Sequence, residues 1–149
     1  NQKKISKKDF KKFHPSGSLG ARLTTVEDIM LTKNKIPFIK ENSNMINALK
    51  IISQKKLGTL IVINNKGSTT GIITDGQIRR VSLLNKNLHG LKVKDVMTKN
   101  PIKVNKEFLA EKALAIMNEK KITSLCVNNS SNKTVGIIHI HNILKSNIS

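Results

Sequence analysis

One pattern of residues occurs twice in this chain, and that repetition limits what the chain can fold into. The run ALKIISQKKLGTL, from Ala48 through Leu60, matches ALAIMNEKKITSL, from Ala113 through Leu125, at an offset of 65 residues. Gly71-Ile72-Ile73 returns at that same offset of 65 as Gly136-Ile137-Ile138. Upstream of each copy, Val26-Glu27-Asp28-Ile29-Met30 is echoed by Val93-Lys94-Asp95-Val96-Met97 at offset 67, and Pro37 by Pro101 at offset 64. Self-similarity at fixed spacing marks one supersecondary unit used twice. A unit of this size buries little core alone, so the two copies are expected to pack on each other.

Each copy reads strand, helix, strand, strand, helix. Met45, Ala48, Leu49 and Ile52 fall at helical spacing and predict one apolar stripe, with Ser43 or Asn44 as the N-cap. Residues 60–63 form a short continuous apolar run, the pattern of a strand buried on both faces. Asn64-Asn65-Lys66-Gly67 is turn chemistry, and residues 70–73 return as the next strand. Thr74 and Gln77 have the spacing of a capping box and open a helix running to about Leu84. In the second copy Leu109, Ala113, Ile116 and Met117 stripe the helix, residues 125–127 and 135–138 make strands, and residues 128–133 make the turn.

The chain has 149 residues and a formal net charge of +18, which raises nucleic acid as a partner. Three features argue against it. The 27 cations include only three arginines (Arg22, Arg79 and Arg80), the usual readers of bases. Trp and Tyr are absent, so stacking platforms are scarce. The lysines are spread over helix exteriors and turns, as on a solvated face. No apolar run is long enough to span a bilayer, and no signal peptide is visible, so no membrane partner is expected. The single cysteine, Cys126, falls in a strand and reads as a buried apolar residue. A cytoplasmic setting follows. The chain opens on Asn1 rather than Met, which leads to the expectation of a piece cut from something longer.

Tandem β-α-β-β-α units opened by D-(I/V)-M and closed by G-h-h-T resemble a CBS domain pair, the Bateman module. His14-Pro15-Ser16-Gly17-Ser18-Leu19-Gly20, the TDGQIRR run from Thr74 to Arg80 and GIIHIHNIL from Gly136 are similar to the C-terminal part of bacterial D-arabinose 5-phosphate isomerases. Those enzymes join an N-terminal sugar isomerase (SIS) domain to a CBS pair. The resemblance implies an α/β (α+β) fold of two pseudo-symmetric units, with residues 1–25 as a linker or tail from a missing SIS domain, CBS 1 over 26–87 and CBS 2 over 88–149. It also implies that lead-in segments such as residues 22–30 cross to pack against the other unit, and that the chain forms homo-oligomers through CBS helices.

His14 matches a histidine counted among the active-site residues of those isomerases. Aldose–ketose exchange needs an acid/base group, and His14 fits by position. Its partners belong to the absent SIS domain, so it is expected to be orphaned here, and no enzyme activity is expected of this chain. The lysine-rich stretch over residues 1–12 reads as a helix end or a frayed tail, and residues 16–20 read as a loop.

In CBS pairs the G-h-h-T-x-x-D loop supplies a threonine for phosphate and an aspartate for the ribose hydroxyls. Thr74 matches the threonine, but the aspartate positions hold Gln77 and, in the second repeat, Asn142; His139 replaces the second threonine. An uncharged amide accepts from a hydroxyl more weakly than a carboxylate does. Asp75 lies in the same loop. Arg79 and Arg80 follow it, and guanidinium groups grip phosphate or carboxylate bidentately. Two readings stand for Thr74 and Gln77, a ligand loop and a plain capping box. Two readings also stand for the arginines, an anion grip and a solvated helix face. His139 and His141 are two apart, so in an extended segment they face the same way. No third ligand accompanies them, and hydrogen bonding to a ligand or to backbone is preferred over metal. No cofactor is expected.

The function so implied is regulatory: a module sensing an AMP-like nucleotide or an anionic sugar nucleotide such as CMP-Kdo, and so controlling an attached sugar-phosphate isomerase. The alternative is a purely structural oligomerisation module with no ligand.

Overall fold

The computed structural model describes residues 23–84 and 87–146. The expectations for residues 1–12, His14 and residues 16–20 lie outside the described residues. The fold is mixed, with two small sheets and helices around them, as the two-fold repeat predicts. The chain divides into two compact units.

The first-repeat unit comprises Thr32–Ile102 and Ser130–Val135. Its strands are β1 (Phe38–Lys40), β2 (Thr59–Ile63), β3 (Thr69–Thr74) and β4 (Thr98–Lys99), hydrogen-bonded in that order. β1 runs parallel to β2, while β3 is antiparallel to both β2 and β4. Parallel pairing needs a crossover, and the helix Met45–Lys55 supplies it. That helix begins as its sequence predicts, with Asn44 Oδ1 accepting the Asn47 N–H at 3.0 Å. Met45, Ala48 and Ile52 are buried and pack with Ile39, Leu60, Val62, Ile73, Ile78 and Val93. Burying each large side chain stabilises by about 1.5–3 kcal/mol. Leu49 departs from the predicted stripe. It is 39% exposed, because the inward face is filled by its neighbours in the stripe. A second helix of this unit, Asp75–Leu84, follows β3.

Among the described residues, the second-repeat unit comprises 23–31, 103–129 and 136–146. Its strands are β5 (Lys103–Asn105), β6 (Ser124–Asn128) and, from Gly136 on, β7 (Thr134–His139), in that order, with β5 parallel to β6. The helix Ala110–Lys120 makes the crossover, burying Ala110, Ala113, Leu114 and Met117. Leu109 is its N-cap rather than part of the stripe. The register confirms the repeat offset: Phe38 pairs with Ile61 as Lys103 pairs with Cys126.

The lead-ins explain the motif that opens each repeat. In the second-repeat unit the short helix Val26–Ile29 docks on residues that follow Lys103 in sequence. Val26 N–H donates to the Phe108 carbonyl at 2.8 Å, Ala110 N–H donates to the Thr24 carbonyl at 2.8 Å, and Leu31 bridges Ile137. In the first-repeat unit the equivalent helix Val93–Val96 does the same: Val93 N–H donates to the Ser43 carbonyl and Met45 N–H to the Leu91 carbonyl, both at 2.8 Å. Each compact unit therefore carries the lead-in of the other repeat.

The closing methionine of each lead-in then meets the opening glycine of a strand. A Cβ placed on Gly71 would lie 2.5 Å from Met97 Sδ and 2.9 Å from the Thr98 carbonyl oxygen. A Cβ on Gly136 would overlap Met30 Sδ and lie 3.1 Å from the Leu31 carbonyl oxygen. The methionine of D-(I/V)-M and the glycine of G-h-h are two sides of one contact, and glycine is needed for that close approach.

Candidate functional site

The residues singled out in the sequence gather at two strand-to-helix junctions, one in each unit. In the first-repeat unit β3 ends at Thr74 and the helix begins at Asp75 with no turn between. Thr74 N–H donates to Gln77 Oε1 at 2.9 Å, the Thr74 hydroxyl donates to the same oxygen at 3.3 Å, and Gln77 N–H donates to Thr74 Oγ1 at 3.3 Å. This is a reciprocal cap that satisfies N–H groups left over at a helix start. Asp75 N–H is satisfied separately, by the Gly58 carbonyl at 2.9 Å.

The nitrogen end of the Gln77 amide reaches a different element. Nε2 donates to Thr98 Oγ1 at 2.9 Å and to the Val96 carbonyl at 3.4 Å. A carboxylate at this position would keep the cap and lose both donations, since it carries no N–H. Glutamine thus joins the helix start to the lead-in that closes the sheet. Sequence reasoning missed this role, because Thr98 lies 21 residues away and no local spacing connects the two.

Around this cap lie the charged groups. Arg79 Nη2 pairs with Asp75 Oδ2 at 3.1 Å, with side chains 68% and 59% exposed. An exposed i,i+4 pair of this kind contributes only about 0.3–0.5 kcal/mol. Arg80 is exposed, and among the described residues no acid is paired with it. The junction therefore presents one guanidinium already neutralised by its neighbour and one that is not.

In the second-repeat unit β7 ends at His139, which caps the helix Ile140–Lys145. His139 N–H donates to Asn142 Oδ1 at 3.0 Å, and His141 N–H donates to His139 Nδ1 at 3.1 Å. The two imidazoles stack, with centroids 4.8 Å apart at 27°. They meet for a reason other than the one the spacing suggested. The chain is not extended through His141; it turns into helix at Ile140 and brings His141 back beside its own cap. As an acceptor, Nδ1 of His139 must be unprotonated. Burial, followed by the neighbouring His141, holds the His139 pKa below its usual value.

Among the described residues no group of three or more His, Cys, Asp or Glu stands together. Cys126 is buried in β6, and burial pushes its thiol up to about 12 against a smaller opposing effect of Lys103. At neutral pH it is a protonated thiol, neither nucleophile nor ready ligand. Among the described residues no helix is long and apolar enough to cross a membrane.

Comparison with known proteins places these features in a family. The family model "CBS domain" matches twice, over residues 26–84 and 93–148. Arabinose 5-phosphate isomerase KdsD of Francisella tularensis is 38% identical over 144 residues, covering 96% of this chain and 44% of that protein. KdsD of Escherichia coli K12 is 35% identical over 141 residues, covering 94% of this chain and 43% of that protein. The chain thus spans less than half the length of these relatives. Among solved structures, the CBS-pair protein CBSX2 of Arabidopsis thaliana matches with a TM-score of 0.75 and 24% identity, over 83% of this chain and 93% of that one. CBSX2 in complex with AMP matches with a TM-score of 0.72 and 25% identity, over 83% of this chain and 95% of that one. A unit used twice, each copy clasping the other's lead-in, and two family matches that fall on those copies lead to one conclusion: this chain belongs to the CBS domain family and carries the domain as a pair.

Proposed function

We propose that this chain is the regulatory CBS pair of a sugar-phosphate isomerase and that it senses an anionic nucleotide or sugar nucleotide. The observation that carries the reading is Arg80, an exposed guanidinium without an acid partner beside the Thr74–Gln77 cap. A guanidinium without an acid partner suits a phosphate or carboxylate, which it can hold by charge-assisted hydrogen bonds. The similarity to KdsD over 96% of the chain supports an arabinose 5-phosphate isomerase as the parent activity, housed in an SIS domain of the same polypeptide, in the cytoplasm. The AMP bound to CBSX2 supports a nucleotide as the class of effector. CMP-Kdo, an end product downstream of such an isomerase, combines a nucleotide with a carboxylate and is the favoured effector. Thr74, Asp75, Gln77, Arg79 and Arg80 form the contact set in the first-repeat unit. His139, His141 and Asn142 form it in the second. An isomerase assay on this chain alone gives no turnover.

One observation favours the rival, a module without ligand: the polar atoms of Gln77, Asn142 Oδ1 and His139 Nδ1 are already hydrogen-bonded within their own units. Isothermal titration separates the two. Saturable heat from CMP-Kdo or AMP, reduced by Arg80→Ala, supports sensing. No heat from either at millimolar concentration leaves the structural role. In both readings the chain self-associates through the Asp75–Leu84 helix, whose Leu83 and Leu84 are each 81% exposed. Sedimentation equilibrium tests this: the intact chain runs as an oligomer, and Leu83→Glu with Leu84→Glu as a monomer.

A further inference from the structure

Away from both junctions, the first-repeat unit has a groove of about 510 Å³ between the outer edge of β1 and the helix Met45–Lys55. Half-buried Phe38, Ile51 and Ile63 give it an apolar wall, and exposed Lys40 and Lys50 stand at its mouth with Asn47 and Gln54. The helix contributes Asn47, Lys50, Ile51 and Gln54, which fall at i, i+3, i+4 and i+7 and so line one stripe beside the core-facing one. No acid lines the groove. Among the described residues neither Lys40 nor Lys50 has an ion-pair partner.

The second repeat serves as an internal control, because it places the same backbone in the same register 65 residues on. There Phe38 is replaced by Lys103, Lys40 by Asn105, Lys50 by Ala115, Gln54 by Glu119 and Ile63 by Asn128. The core positions keep their chemistry across the same offset: Ile39 is Val104, Ala48 is Ala113 and Leu60 is Leu125. Ile51 is kept as Ile116, and the second repeat places its lysines at two other lining positions, Lys103 and Lys112, so the combination of Phe38 and Ile63 with Lys40 and Lys50 belongs to the first repeat alone.

We infer that this groove is a binding site for a small anionic molecule with an apolar body, seated against Phe38, Ile51 and Ile63 with its acidic group between Lys40 and Lys50. Its volume lies within the range of small-molecule sites, about 300–1,000 Å³. Strand addition by a peptide fits less well. The Phe38 N–H already donates to the Ile36 carbonyl, and the Lys40 carbonyl already accepts from Ser43 N–H, so the edge has few backbone groups left. The inference stands apart from effector sensing at the junctions and does not depend on it.

The test uses 2-naphthoate, which has an apolar bicyclic body and one carboxylate, with neutral 2-naphthalenemethanol as the charge control. Each is titrated into the isotopically labelled chain and followed by amide chemical shifts. The expected result is saturable shifts centred on Lys40, Asn47, Lys50, Ile51 and Ile63, with the alcohol binding about tenfold more weakly or worse. Lys40→Asn with Lys50→Ala, which installs the second repeat's residues at exposed positions, is expected to bring the naphthoate affinity down to that of the alcohol. Unchanged dispersion of the remaining amides shows that this variant is folded. Shifts that do not saturate, shifts centred on Thr74 to Arg80 instead, or equal affinity for acid and alcohol overturn the assignment.

Discussion

The β3 junction at Thr74 and the β7 junction at His139 occupy the same place in two copies of one fold, yet they are capped by different chemistry. Thr74 and Gln77 cap the first through a hydroxyl and an amide, and Gln77 reaches on to Thr98. His139 and Asn142 cap the second through an imidazole and an amide. Beneath both, the methionine-on-glycine contact and the docked lead-in are the same. Apolar packing tolerates little change because interiors are close-packed, so a duplicated core keeps its shape. Polar groups at an exposed junction need only satisfy the helix start, and several residue types can do that. The two copies therefore differ at these junctions while sharing the frame beneath them.

The shared frame should break hardest. Gly71→Ala sets a Cβ 2.9 Å from the backbone oxygen of Thr98, which cannot swing aside as a methionine side chain can. Urea denaturation should show a loss of about 1–3 kcal/mol, the usual range for overpacking. Gly136→Ala meets its nearest backbone oxygen at 3.1 Å and should cost less. Equal stability of Gly71→Ala and the parent chain would remove the contact from the account.

Next comes the tie made by Gln77. Gln77→Glu preserves the acceptor of the cap and removes the donors to Thr98 and Val96. A loss of about 1 kcal/mol is expected, comparable to one hydrogen bond. Asn142→Asp, by contrast, keeps the Oδ1 acceptor that His139 N–H uses and should leave stability within about 0.5 kcal/mol. Similar effects at the two sites would erase the asymmetry.

A third difference appears with pH. Because the folded-state pKa of His139 is lowered, the folded chain binds fewer protons than the unfolded chain between that value and the ordinary 6.5. Stability is therefore full above 6.5 and falls as pH drops through this window toward the folded pKa. His139→Ser, which can still cap, should flatten that fall, as thermal melts in closely spaced buffers would reveal.

The smallest effect concerns the helix ends that the copies share. Lys56 and Lys121 terminate equivalent helices at φ of 58° and 57°. A left-handed conformation is costly for a side-chain-bearing residue, so Lys56→Gly and Lys121→Gly should each raise stability, by about 0.5 kcal/mol. Unequal gains would show that the two frames differ more than their packing suggests.

How much of this was visible in the sequence depends on distance along the chain. The repeat, the crossover helices and the Asn44 cap were legible because they rest on spacings of a few residues or on one constant offset. That a lead-in would cross was implied by family resemblance. What it holds was not, because Met30 and Gly136 are far apart in sequence. Leu49 looked like core by period, and only the filled inward face shows why it is exposed. His139 and His141 were correctly paired but through the wrong backbone, since an apolar strand ending in helix has no punctuating Gly or Pro there. The groove at β1 was invisible, because Lys40 and Lys50 come to line one groove only once the strand lies beside the helix.

The central proposal is that the polar divergence of the two junctions, on an otherwise common frame, gives this CBS pair one anion-binding junction, at Thr74 to Arg80. The most direct test is an amide chemical-shift titration of the chain with AMP and with CMP-Kdo. The account predicts saturable shifts that are larger over Thr74 to Arg80, where Arg80 has no acid partner, than over His139 to Asn142. Equal shifts at both junctions, or none at millimolar ligand, would contradict it.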